Sequence, residues 1–196
     1  MRFSGLMLAA GLALALGGSA LSAPRTDVVI GMSIEPAGLD PTISAPVSIG
    51  QIVWQNVFQG LTRIAEDGSV QPQLARRWTL SDDGLTYEFE LQEGVRFHNG
   101  APFDAGVAKF TLDRARGPNS ANPQKRFFSA IDSVEAPAPD KLIVHLSRPS
   151  GNLPYWLGWP ASVMVEPASA DTNRTAPVGT GPFTVAEWKP CLLYTS

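Results

Sequence analysis

The stretch "DDGLTYEFELQEGVRFHNGAPF", residues 82 to 103, constrains this chain more than any other. Leu85, Tyr87, Phe89 and Leu91 alternate with Thr86, Glu88, Glu90 and Gln92. Side chains of a strand point alternately to its two faces, so this spacing predicts a half-buried strand with one wet face. "QEG" breaks it, Val95 and Phe97 resume it, and "HNG" turns the chain again, the Asn99-Gly100 step favouring positive φ. Either His98 marks a chemical centre here, or the segment is scaffold that presents something else.

The rest of the chain alternates helical and extended patterns. "DVVIGMSI" (27–34) predicts a buried strand, ended by the Pro- and Gly-rich loop "EPAGLDP". Ile49, Ile52, Val53, Val57 and Leu61 recur at helical spacing, with Ser48 as N-cap, Gly60 as stop, and Trp54 and Phe58 widening the apolar face. Asp104 reads as the N-cap of a helix to about Arg116, with Val107, Phe110 and Thr111 inward. "AIDSVEAPAPDKLIVHLSRP" predicts two strands around a Pro-rich turn, burying Leu142, Val144 and Leu146 and leaving His145 on the opposite face. "PVGTGPFTVAEW" reads as a strained Gly/Pro turn entering a strand. These elements predict a mixed α+β fold.

With 44% hydrophobic and 17% charged residues, the chain has apolar material for a core. A net charge of −3 and scattered Lys and Arg exclude a nucleic-acid partner, which would need a clustered basic stripe. Residues 1–23 carry an early Arg2, an uncharged Leu/Ala run and small residues at Gly18, Ser19 and Ala20, the pattern of a cleaved secretory signal peptide. The protein is therefore expected to be exported. Cys191 is the single cysteine, which excludes an internal disulfide and a Cys-based zinc site.

Catalytic patterns are weak. His98 lies in a turn that its neighbours Asn99 and Gly100 explain, and no G-x-S-x-G elbow supplies an activated Ser. His98 and His145 are far apart and no ligand-spaced cluster surrounds either, so neither metal nor cofactor is expected. Asp82-Asp83 sits in a turn, Glu88 and Glu90 share the wet strand face, and "GTG" (179–181) lacks the further Gly and the Lys of a phosphate loop.

Residues 60 to 105, with "EPAGLDP" before them and "VGTGPFTVAEW" after, resemble the periplasmic solute-binding proteins of peptide and nickel ABC importers, extracellular solute-binding family 5. The carriers are L-D-P, D-G-x-x-x-P-x-L-A-x-x-W, D-G-L-T-Y-x-F-x-L, G-V-x-F-H-N-G and V-G-T-G-P-F, in the family's order through Lys189. Gln92, where the family usually has Arg, and the Ala105-Gly106 helix start depart from it. The resemblance implies an α/β periplasmic-binding-protein fold of type II, bilobal at full length. Residues 24–44 and 178–190 would belong to the first lobe and 45–177 to an extra subdomain. The second lobe is expected to be absent from this chain, and Cys191–Ser196 to be a non-native tail. It further implies a monomeric, periplasmic, non-enzymatic receptor that takes a peptide or related small solute into an interlobe cleft and delivers it to a membrane permease and its ATPases. Ligand-contact candidates are Glu35, Pro36, Ala37 and Gly38, Ser44, Ala45, Pro46 and Val47, and Trp156, Trp159 and Ala161 of the aromatic loop. An exported peptide hydrolase, or a truncated fragment without function, are the alternatives.

Overall fold

The computed structural model describes residues 27–190, so the signal peptide expected at 1–23 and the non-native tail expected at 191–196 lie outside the described residues. In chain order the elements are helix α1 (Val47–Val53), strands β1 (Thr62–Ile64), β2 (Val70–Pro72), β3 (Ala75–Leu80) and β4 (Thr86–Leu91), helix α2 (Ala105–Arg116), strands β5 (Ile131–Ala138) and β6 (Lys141–Leu146), and the single turn α3 (Leu153–Trp156). β1 and β2 form a small antiparallel ribbon. The other four strands make one antiparallel sheet in the order β3-β4-β6-β5.

The alternation in residues 85–91 is what the sheet uses. Tyr87, Phe89 and Leu91 of β4 are buried, and Phe89 sits opposite Leu142, Tyr87 opposite Val144, in the β4–β6 register. The wet face carries charges that pair across strands. Lys141 reaches Glu88 at 2.8 Å, and Arg76 and Arg77 both bond Glu90. The bonds from Arg77 and Arg76 hold the Glu90 carboxyl below the usual carboxylate range.

Helix α2 packs on the buried face. Asp104 caps it as expected, its Oδ1 accepting from the Val107 N–H at 3.0 Å. The buried stripe is Ala105, Ala108, Thr111, Leu112 and Ala115, with Val107 packed at its edge. Phe110, expected inward, is only half-buried. Small residues along the stripe let the helix approach the sheet closely, and a large ring at their centre would hold it off.

Four expectations are corrected. Residues 27–34 form no strand: Val28, Val29 and Ile30 are 82%, 96% and 80% exposed, and none of the described strands pairs with them. Residues 183–188 likewise form no strand. An apolar run becomes a strand only when a partner takes its N–H and C=O groups. The helix expected from Ser48 to Gly60 starts at Val47, with Pro46 at the cap position and no side-chain cap, and stops at Val53. Trp54 is extended and Gln55 takes φ 62°, in the left-handed region, after which the N–H groups of Val57 and Phe58 both return to the Val53 carbonyl. Finally, the "GTG" turn has no positive φ; Gly179 and Gly181 are there because backbone passes against backbone.

His98 belongs to that close passage. Its N–H donates to the Gly179 carbonyl at 2.9 Å, its Nε2 lies 2.8 Å from the Gly181 carbonyl oxygen, and its Nδ1 accepts from the Gly179 N–H at 3.4 Å. Donation from Nε2 and acceptance at Nδ1 define one neutral tautomer, locked by the turn. The histidine is a clamp. His98→Ala is expected to lower stability by about 1–3 kcal/mol, because it strands two polar groups of that turn. Denaturant titration checks this, and an unchanged midpoint would refute it.

Candidate ligand-binding site

The loop after "EPAG" is pinned at both ends. The Leu39 N–H donates to the Arg174 carbonyl at 2.8 Å. Asp40, buried, accepts on Oδ1 from the Thr42 N–H at 2.8 Å and the Thr42 hydroxyl at 2.6 Å, a local turn that this residue type makes readily. Arg114 on α2 then donates to the Thr42 hydroxyl oxygen at 2.8 Å, tying the loop to the sheet-bound helix. Beyond it, Pro46 and α1 lead to Trp54, whose indole N–H donates to the Gly158 carbonyl at 3.0 Å. Two loops distant in sequence are thereby held side by side.

Between them lies a cavity of about 460 Å³, lined by Pro41, Ser44, Ala45, Pro46, Val47, Gly50, Gln51, Trp54, Ile64, Pro123, Gln124, Tyr155, Trp159, Pro160 and Ala161. No acidic or basic side chain lines it. Its size is that of a small-molecule site, and its make-up is apolar with a few amide and hydroxyl groups. Trp159 is braced by an aromatic cluster: Phe127 stacks on Trp156 at 4.0 Å between centroids and meets Trp159 edge-on at 5.6 Å, and Tyr155 meets Trp159 at 6.2 Å. A braced indole loses little rotamer freedom when a ligand arrives.

Of the sequence candidates, Ser44, Ala45, Pro46, Val47, Trp159 and Ala161 meet in this one cavity. Glu35, Pro36 and Ala37 instead border a wider hollow of about 700 Å³ with Arg174 and Trp188. Gly38 is packed so that an added Cβ would lie 2.8 Å from Arg174 Cγ. Trp156 opens on a third cleft, on the Arg126 and Arg148 side of the aromatic cluster. Trp54, Pro123, Gln124 and Tyr155 were not among the candidates. Trp54 reads as helix face in the sequence, and it lines the cavity as the end of the α1 face that carries Val47, Gly50 and Gln51, at i, i+3, i+4 and i+7.

Among the described residues there is no group of His, Cys, Asp and Glu able to hold a metal ion.

The profile of the bacterial extracellular solute-binding proteins, family 5 Middle, matches residues 69–193. The chain belongs to this family. The glutathione-binding protein GsiB of Escherichia coli K12 is 35% identical to this solute-binding protein over 188 residues, 93% of the chain and 36% of the relative. The GsiB protein of Salmonella paratyphi A is 34% identical over 83% of the chain and 32% of the relative. Among solved structures, AgaA of A. tumefaciens R10 in complex with agropinic acid aligns at TM-score 0.73 and 31% identity, over 79% of this chain and 32% of that one. NikZ of Campylobacter jejuni in complex with Ni(L-His) aligns at TM-score 0.70 and 29% identity, over 80% and 32%. The chain thus spans about a third of the length of the relatives it matches. Its mixed α/β architecture is that of the type II periplasmic binding proteins, as the motifs in the sequence implied.

Proposed function

We propose that this chain is part of the substrate-binding component of an ABC importer, and that the 460 Å³ cavity is its contribution to solute capture. The observation that carries the reading is the meeting of Ser44–Val47 with Trp159 and Ala161 on one apolar, uncharged wall in a family 5 protein. The solute is a peptide or a related small molecule, as the glutathione-binding relative and the Ni(L-His) complex suggest. The apolar wall takes the solute's uncharged portion. A second lobe, hinged on the first, would close over it and exclude water. The loaded protein would then dock on a permease and its ATPases and release the solute, with no covalent step of its own.

Residues 1–23 would direct export to the periplasm and be removed. In the same reading residues 24–44 and 178–190 belong to the first lobe and 45–177 to an extra subdomain, the two joined through a shared hydrophobic cluster. Leu39, Ile49, Val53, Val57, Phe58 and Val163 pack with Val185 and Trp188 of the returning segment, while the four-stranded sheet and α2 have their own core.

Isothermal titration with glutathione, a dipeptide and nickel–histidine tests the reading. At least one solute should bind without turnover, and Trp159→Ala should weaken it about tenfold or more, as loss of an aromatic anchor does. Release of cleaved products, or an affinity indifferent to Trp159→Ala, would sink it.

A further inference from the structure

A second cleft, of about 460 Å³, lies on the other side of the aromatic cluster and shares no lining residue with the apolar cavity. Arg126, Phe127, Ser129, Arg148, Asn152 and Trp156 border it, and no carboxylate does. Elsewhere Arg76, Arg77, Lys109, Arg116 and Lys141 pair with acids. Among the described residues neither Arg126 nor Arg148 has an acid in ion-pair reach. Each is nonetheless held in place: Arg148 Nη2 donates to the Ser129 hydroxyl oxygen at 3.0 Å, and the Arg126 guanidinium lies 5.4 Å from the Phe127 ring centroid. Phe127 is itself fixed by its stack on Trp156, with 14° between the ring planes.

We propose that this cleft is a second binding site, for a small solute bearing a carboxylate or phosphate beside a flat apolar body. Two guanidinium groups on one cleft offer several N–H donors each, in the planar fork that matches the oxygens of such anions. The exposed edge of the Phe127–Trp156 stack offers the apolar body a surface. Both arginines are exposed, so the interaction is screened by salt and weakens as ionic strength rises. The site does not depend on the capture cavity and stands or falls separately from it.

Titration of the full chain at low ionic strength with benzoate and with inorganic phosphate, followed by calorimetry and tryptophan fluorescence, tests this. Saturable binding of benzoate is expected, weakened about tenfold or more in Arg148→Gln and in Arg126→Gln. Arg148→Lys should weaken it too, since an ammonium keeps the charge but loses the fork. Lys189→Gln, which removes an exposed cation paired with Glu187, should leave it unchanged. Competition by phosphate would point to a phosphate-bearing solute, and its absence to a carboxylate. Failure of both probes to saturate below concentrations on the order of 10 mM, or equal affinity in wild type and both Gln variants, would overturn the proposal.

Discussion

Gly179→Ala is expected to destabilise the protein by about 3 kcal/mol or more, at the upper end of what overpacking costs. A Cβ placed on Gly179 would stand 1.8 Å from the Val57 carbonyl oxygen and 2.6 Å from its carbonyl carbon. At Gly181 the nearest atom is the Asn56 carbonyl oxygen, 2.3 Å away. These obstacles are backbone, so no rotamer change relieves them. Nor can the segments part cheaply, because the Gly181 N–H donates to the Val57 carbonyl at 2.9 Å and the Phe183 N–H to the Asn56 carbonyl at 3.0 Å. Val57 and Phe58 are buried in the smaller core, which continues through α1 to the wall of the capture cavity. The variant should therefore lose solute affinity along with stability. Gly151→Ala is the control: its Cβ meets nothing within 4 Å and its φ is ordinary, so its change should stay within about 0.5 kcal/mol. Equal denaturation midpoints for the two variants would refute the argument.

The same glycines mark how far the sequence can be read. Where structure follows from neighbours in the chain, the letters are enough. The β4 alternation, the Asp104 cap, the positive φ of 86° at Gly100 and the β5–β6 hairpin are all local, and all are found. Where structure follows from what a segment meets, they are not. Gly179 looks like a turn glycine, yet it is required by a carbonyl more than a hundred positions earlier in the chain. Residues 27–34 have strand composition but no partner among the described strands. The inward face of α2 is hidden in sequence because alanine is at home on either side of a helix, so Val107 and Phe110 look like the better candidates.

The proposed capture site follows the same rule. Pro46 and Val47, in a loop beside the expected first lobe, and Trp159, in the aromatic loop, line one cavity. Trp156, three positions away, does not line it: Trp156 closes the single turn α3 while Trp159 is extended beyond it, and the two indoles, in contact with each other, border different clefts. Trp54 joins at the C-terminal end of α1, on the helix face that Val47, Gly50 and Gln51 already present to the cavity.

Phe89→Ala is the other large effect expected, about 3–5 kcal/mol of stability. The ring is fully buried, with Trp78 at 6.3 Å and Tyr87 at 5.8 Å between centroids and Leu142 across the strand pair. Truncation leaves a void that a sheet pinned by hydrogen bonds on both sides of β4 fills poorly. One residue earlier, Glu88 points to the wet face and pairs with Lys141 across β6 at 2.8 Å. Both side chains are about half exposed, so Glu88→Ala should cost about 1 kcal/mol or less. Equilibrium denaturation of both variants tests the parity of the strand directly, and comparable losses would mean that its two faces are misassigned. The pair also separates scaffold from site. Phe89 lines neither the capture cavity nor the arginine cleft, so the folded fraction of Phe89→Ala should bind solute with wild-type affinity. A folded Phe89→Ala that had lost binding would make residues 82–103 part of the recognition surface, and the sheet could no longer be regarded as the frame on which that surface is carried.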